Sequence, residues 1–305
     1  MKILNFGSCN IDHVYTVEHI VRPGETETSA KLEIFPGGKG LNQSIAIAKA
    51  GCHVYHAGCI GNDAKLLLDI LTDSGVDTSY IKTLDTKNGH AIIQLDPNGE
   101  NSIVLYPGSN NMITREFIDH VLENFSAGDF ILLQNEINNI EYIIEKAFNK
   151  GLRIVLNPSP FKDELRWIDI RKISYLILNE IEAEAMTGAE DTEEMLMYFK
   201  KNHPGLRVVL TLGSMGCIYM EHGALYRQSI FEVDVQDTTA AGDTFTGYFI
   251  AEISKGAQCQ DALKTAACAS AIAVSRKGAA PSIPLADEVA DALLKLKEKH
   301  PDRYQ

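Results

Sequence analysis

Cysteine is sparse in this chain, six in 305 residues, and no two cysteines form a C-x-x-C pair or join histidines at zinc spacing. A structural zinc site therefore has no support, and the thiols read as reduced. No apolar run reaches the roughly 18 to 20 residues that a membrane span needs. The amino terminus carries one lysine before a short apolar stretch that Asn5 and Asp12 interrupt, so it reads as a first strand and not as a signal peptide. Basic side chains are outnumbered 28 to 41, leaving a net charge of −13. That balance repels a nucleic-acid backbone or an anionic membrane at long range, and neither is expected as a partner. A small phosphorylated ligand stays compatible, because backbone amides and one or two placed cations bind phosphate locally. Also missing are a Gly/Ser/Pro linker, an internal repeat and a low-complexity stretch. The expectation is one domain over residues 1–305 in a cytoplasmic protein.

What is present is the composition of a folded α/β chain, 45% hydrophobic and 23% charged. Apolar runs at 3–6, 54–58, 130–133, 153–156, 175–178 and 208–212 alternate with helical segments such as 41–50, 63–74 and 140–150, closed by Gly51, Gly75 and Gly151. Near-continuous apolar strands separated by helices predict a mainly parallel sheet covered on both faces, a three-layer α/β fold. Two pairs of segments break this rhythm: 13–20 and 30–35 flank Arg22-Pro23-Gly24-Glu25, and 91–95 and 102–106 bracket Asp96-Pro97-Asn98-Gly99. They predict a small β-sheet lid drawn from about 13–36 and 90–107.

Two glycine-bearing strings carry chemistry. Pro36-Gly37-Gly38-Lys39-Gly40-Leu41-Asn42 opens a helix, where glycines admit close backbone approach and the first N–H groups are free. Gly40 stands where a Walker A loop needs Ser or Thr, and Gln43 breaks the dinucleotide fingerprint. On its own the string also fits a plain glycine turn. Asp237-Thr238-Thr239-Ala240-Ala241-Gly242-Asp243-Thr244-Phe245 leads into an apolar helix, whose start can meet a developing anion. Asp243 in its first turn is either a helix cap or a carboxylate able to take a hydroxyl proton.

In this order, at opposite ends of the chain, the two strings resemble the signatures of the ribokinase-like (phosphofructokinase B type) sugar kinases. Gly7-Ser8-Cys9-Asn10-Ile11-Asp12, Asn157-Pro158-Ser159-Pro160, Asn179-Glu180-Ile181-Glu182-Ala183-Glu184, Thr211-Leu212-Gly213-Ser214 and Arg276-Lys277-Gly278-Ala279-Ala280-Pro281-Ser282 extend the likeness over nearly the whole chain and toward its ribose-phosphorylating branch. The resemblance implies ATP-dependent phosphorylation of D-ribose at its 5-hydroxyl, giving ribose 5-phosphate and ADP. Deoxyribose, a ketohexose or a nucleoside is the alternative acceptor within the family. A binding protein that kept the fold without turnover is opposed by retention of Asp243, and a nicotinamide-dependent oxidoreductase by the absence of its fingerprint.

The same resemblance implies roles residue by residue. Asn10, Asp12, Gly38, Lys39, Asn42 and Glu136 would hold the sugar, with Ala91 and Ile93 supplied by the lid. Asn179 and Glu182 match the N-x-x-E motif that organises magnesium and the phosphates; read without the family, Glu182 is equally a solvated helix face. Thr211 and Gly213 would line the nucleotide, Ala240, Ala241 and Gly242 would form the anion hole, and Asp243 would be the base. Asp237, Thr239, Ala273, Arg276, Gly278 and Ser282 match a potassium site built mostly from backbone carbonyls. The family also implies a homodimer joined through the lids. Leu41 stands where the family usually carries Ala, Ser109 replaces Ala in a Gly-Ala-Asn string, and Ala267 lies where His or Asn often borders the adenine.

Overall fold

The computed structural model describes residues 1–299, so the last six residues of the expected 1–305 span lie outside it. Five apolar runs form parallel strands at the centre of a nine-stranded sheet: β1 (Ile3–Phe6), β8 (Phe130–Gln134), β9 (Arg153–Asn157), β10 (Tyr175–Asn179) and β11 (Arg207–Thr211). β4 (Val54–Gly61) and β5 (Asp77–Leu84) continue the parallel run beyond β1. Two further strands, β12 (Cys217–Glu221) and β13 (Ala224–Gln228), close the other edge antiparallel.

Successive residues of each strand point to opposite layers, and the core divides accordingly. Ile3, Val155, Ile177 and Val209 pack beneath α1 (Lys39–Lys49), α2 (Lys65–Asp73), α7 (Ala241–Ser254) and α8 (Cys259–Val274). Leu4, Phe6, Leu156, Leu178 and Leu210 pack beneath α3 (Arg115–Leu122), α4 (Ile140–Asn149), α5 (Glu180–Thr187) and α6 (Thr192–Asn202). The result is three layers, helix on sheet on helix, as the apolar runs predict. The departure at Leu41 is absorbed here, since its side chain is fully buried in the first of these layers.

Four strands stand apart as a second sheet in the order β3 (Lys31–Gly37), β2 (Asn10–Thr16), β6 (Gly89–Leu95) and β7 (Asn101–Tyr106). β2 runs parallel to β6, whereas β2–β3 and β6–β7 are antiparallel pairs. The first pair is displaced from the expected 13–20 and 30–35: β2 begins at Asn10 and ends at Thr16, β3 runs on to Gly37, and residues 17–30 form an irregular connection around Pro23 and Gly24.

Two local features fix how α1 and α7 lie against each other. Gly38 takes φ 96°, a left-handed conformation that side chains resist, and turns the chain from β3 into α1. A Cβ on Gly247 would lie 2.3 Å from that of Ala46, so α7 and α1 touch almost backbone to backbone. Their first turns are thereby brought side by side.

Candidate active site

The polar residues converge where the parallel strands end. β1 runs out into Gly7 and Ser8, β8 ends at Gln134, β9 at Asn157, β10 at Asn179 and β11 at Thr211. In open parallel sheets this carboxyl edge is where ligands bind, because the connections to the helices leave a crevice there.

At its centre lies Asp243 in the first turn of α7, only 8% exposed. Its Oδ2 accepts from Asn42 Nδ2 at 2.9 Å and its Oδ1 from Gln43 Nε2 at 2.9 Å, both across the α1–α7 contact. Asp243 does not act as the helix cap. The N-cap residue of α7 is Ala240, no side chain caps the helix, and the Asp243 carboxylate is turned toward α1. Ala240 itself sits at φ 60°, a strained conformation for a residue with a Cβ. The Ala241 N–H turns back to Thr238 O at 3.2 Å, and the first helical bond is Thr244 N–H to Ala240 O. A Cβ on Gly242 would meet nothing within 4 Å, so the space in front of this helix start is open. An uncapped, open helix N-terminus suits a phosphate or a developing anion.

Asn42 carries the observation that points to an acceptor. It is 5% exposed, and its Oδ1 is buried with no partner among the described residues. An unpaired buried acceptor costs stability unless something donates to it, and a sugar hydroxyl is such a donor.

The other residues that the resemblance assigns to the sugar lie close to this pair. Glu136 Oε2 accepts from Ser8 Oγ at 2.5 Å and from the Lys39 backbone N–H at 3.0 Å, which pins it at the turn into α1. Asp12 packs on Gly37, where a Cβ would fall 2.0 Å from its carboxylate. Burial and, secondarily, the charge of Glu136 push the Asp12 carboxyl up to about 7. Burial alone would lower the Lys39 ammonium, but the charges of Asp243, Glu136 and Glu182 outweigh it and hold it above its ordinary value. Lys39 thus electrostatically joins three acidic residues that lie far apart in sequence. Asn10 Oδ1 accepts from Asn110 Nδ2 at 2.7 Å, leaving the Asn10 amide nitrogen as the group free to donate. Ala91 pairs with Asp12 in register, and Ile93 lies two residues on along the same face of β6.

Asn179 and Glu182 form a capping box at the start of α5: Asn179 Oδ1 accepts from the Glu182 N–H at 2.9 Å, and Glu182 Oε2 from the Asn179 N–H at 3.1 Å. Glu182 is therefore buried and not on the solvated face that its helix position alone permits. Thr211 pairs with Asn179 in register, and Gly213 begins the tight turn after β11. Neither has a hydrogen bond to the Asp243 cluster among the described residues. The segment before α7 is tied to the one after α8, because Asp237 accepts from Thr239 N–H and Gly278 N–H, each at 2.9 Å. Arg276 N–H donates to Ala273 O at 3.0 Å while its guanidinium pairs with Glu288, and Ser282 Oγ donates to Ala279 O at 2.8 Å.

Several residues that complete the cluster receive no role from the sequence, although Ser8 and Asn157 lie in matched strings: Ser8, Gln43, Asn110, Gln134 and Asn157. A usable signal exists for two of them. Gln134 and Asn157 are single amides that end otherwise apolar strands, and a polar residue at the carboxyl end of a buried parallel strand faces the crevice.

Comparison with known proteins places this arrangement. The sequence profile of the pfkB family carbohydrate kinases matches residues 1–286. The ribokinase of Staphylococcus aureus (strain COL) is 36% identical over 303 residues, covering 94% of this chain and 98% of its own length. Among solved structures, the ribokinase of Cryptococcus neoformans in complex with ADP is 34% identical with TM-score 0.85, covering 95% of this chain and 99% of that one. The Arabidopsis thaliana ribokinase complexed with ribose and ATP is 30% identical with TM-score 0.85, covering 96% of this chain and 98% of that one. With its fold, both signature strings and the residues they carry at one sheet edge, the chain belongs to the pfkB family of carbohydrate kinases.

Proposed function

We propose that this ATP-dependent phosphotransferase acts on D-ribose, giving ribose 5-phosphate and ADP. The observation that carries the reading is the Asp243 carboxylate held by Asn42 and Gln43 beside an open helix start, with Asn42 Oδ1 buried and unpartnered next to it. In the reaction, the 5-hydroxyl oxygen forms a bond to the γ-phosphorus while the bond from that phosphorus to the β,γ-bridging oxygen breaks. The hydroxyl proton passes to Asp243, and ADP leaves. Phosphoryl transfer depends on positioning and charge stabilisation more than on a strong base, so a carboxylate suffices. Ala240, Ala241 and Gly242 present the start of α7 to the charge that develops on the transferred group.

Asn10, Asp12, Gly38, Lys39, Asn42 and Glu136 hold the sugar hydroxyls, with Ala91 and Ile93 against the ring from the smaller sheet, which acts as a lid on a single kinase domain. Thr211 and Gly213 line the nucleotide. Asn179 and Glu182 organise magnesium, a fit supported by the buried Glu182 carboxylate, since hard cations take oxygen ligands. When bound, magnesium neutralises phosphate charge. Asp237, Thr239, Ala273, Arg276, Gly278 and Ser282 suit potassium, and the Asp237 link between their two segments supports one site. An ion there orders the loop that leads into α7. The exposed Ile34, Ile92, Val104 and Tyr106 of the smaller sheet support a homodimer joined through that sheet. A cytoplasmic setting agrees with the buried, unpaired thiols of Cys9, Cys59, Cys217 and Cys268.

Identification of the product by ³¹P-coupled NMR tests the reading. Phosphate on the ribose 5-oxygen is expected, and phosphate on any other oxygen, or no turnover of ribose, overturns it.

A further inference from the structure

A row of buried amide side chains leads from the sheet interior to Asp243. Asn5, Gln43 and Gln134 have no exposed surface, and Asn157 is 9% exposed. Each amide nitrogen has two hydrogens to place. Those of Asn5 go to Gly40 O at 2.7 Å and Ser44 Oγ at 2.8 Å. Those of Gln134 go to Asn5 Oδ1 at 3.0 Å and Gln43 Oε1 at 2.7 Å. Those of Gln43 go to Asn157 Oδ1 at 3.0 Å and Asp243 Oδ1 at 2.9 Å, while Asn157 Nδ2 donates to Ile177 O at 2.9 Å.

The Gln43 amide is therefore held in one sense. The row is anchored at two main-chain carbonyls, Gly40 and Ile177, that cannot exchange donor for acceptor. Turning Gln43 over would set its oxygen against those of Asp243 and Asn157 and its nitrogen against that of Gln134. Gln134 tolerates an unpartnered Oε1 in this arrangement, so the row is built toward Asp243 even where one acceptor goes unsatisfied. Unpaired buried groups of that kind are costly, and a site that retains one has a reason beyond stability.

We propose that Gln43 is a positioning residue for phosphoryl transfer: its amide, held in one sense by Gln134, fixes Oδ1 of Asp243 and leaves Oδ2, shared with Asn42, to receive the hydroxyl proton. This rests on Asp243 being the base. With no exposed surface, Gln43 offers the sugar no contact of its own. It acts by removing the rotation of the carboxylate, a misalignment that general-base transfer does not tolerate.

The test is steady-state kinetics across pH on Gln43→Glu, Gln43→Met, Gln134→Met and Asp243→Asn. In Gln43→Glu a second carboxylate faces Asp243, so the pair resists losing both protons. The acid limb of its kcat profile moves up by about one pH unit or more, with kcat at pH 7 reduced at least about tenfold and the ribose KM within about threefold of the parent. Gln134→Met removes the donors to Gln43 Oε1 and Asn5 Oδ1 without touching Asp243, and a smaller loss confined to kcat is expected. If Gln43→Met does not fold, Gln43→Glu and Gln134→Met carry the test. An unmoved acid limb with kcat near the parent value overturns the proposal, as does a loss expressed wholly in KM. Asp243→Asn separates the two readings. If it retains parental turnover, the base assignment fails; if it is inactive while Gln43→Glu is silent, the positioning role alone fails.

Discussion

Replacing Asp243 by Asn changes one oxygen into an NH₂ group, and the surroundings determine what that does. The parent carboxylate meets two donors, Asn42 Nδ2 and Gln43 Nε2, each at 2.9 Å. In the variant one of them faces a donor. Gln43 cannot turn over, because Gln134 donates to its Oε1 at 2.7 Å. Asn42 can, because its Oδ1 has no partner to lose. The variant therefore settles with its amide oxygen on Gln43 and its NH₂ on a turned Asn42. Both charge-assisted hydrogen bonds become neutral ones, a cost of about 2 kcal/mol at most because a buried charge is removed with them, or a few degrees in Tm. Loss of the proton acceptor is much larger, about 10²- to 10⁴-fold in kcat, or about 2.7 to 5.5 kcal/mol of barrier. A turned Asn42 also offers the sugar a donor where it offered an acceptor, so the ribose KM rises modestly. Thermal unfolding and a coupled ADP-release assay measure the two quantities on one preparation. A folded variant with kcat within about tenfold of the parent would falsify the base assignment.

Other parts of the molecule carry three further expected outcomes. Activity is higher in potassium than in sodium at equal ionic strength, because an ion between the Asp237 and Gly278 segments orders the approach to α7; equal rates in the two salts contradict that role. Val104→Asp places a charge on the exposed apolar face of the smaller sheet, and sedimentation velocity at micromolar concentration then shows a dimer for the parent and a monomer for the variant. A parent that sediments only as a monomer removes the lid-to-lid contact. The Asp12 carboxyl is raised in the folded state, to about 7, so its contribution to stability is present below about pH 4 and is lost as pH rises through about 7. Asp12→Asn is accordingly more stable than the parent at pH 8, with the difference shrinking toward pH 4; denaturant unfolding at the two pH values reads it, and a constant difference refutes the burial argument.

The central sheet was legible because each run that became β1, β4, β8, β9, β10 and β11 is apolar on both faces, the mark of a strand covered twice. The smaller sheet announced itself through its turns. β5 and β13 did not, since they are edge strands of mixed polarity, such as Asp-Thr-Ser-Tyr-Ile-Lys-Thr-Leu in β5, and the short apolar β12 lies between turns with no helix after it to mark the parallel rhythm. In the site, Asn42 and Asp243 stand out in sequence because glycines surround them, but what joins them does not. Gln43 lies 200 residues from Asp243 and 91 from Gln134. As a residue Gln43 shows only as the position that breaks a dinucleotide fingerprint. Its role is visible once Ala46 and Gly247 let α1 and α7 meet, and Asn110 is illegible for the same reason, since its partner Asn10 is 100 residues away.

The specificity constants for D-ribose, 2-deoxyribose, fructose and adenosine, measured side by side by coupled ADP release, test the proposed activity most directly. A site that meets hydroxyls with Asn10, Asp12, Asn42 and Glu136 leaves buried groups unpaired when a hydroxyl is missing, a penalty of up to about 10⁴-fold. D-ribose is expected to lead this ranking. A nucleoside, a hexose or 2-deoxyribose in first place contradicts ribose as the acceptor while leaving the carbohydrate-kinase family intact.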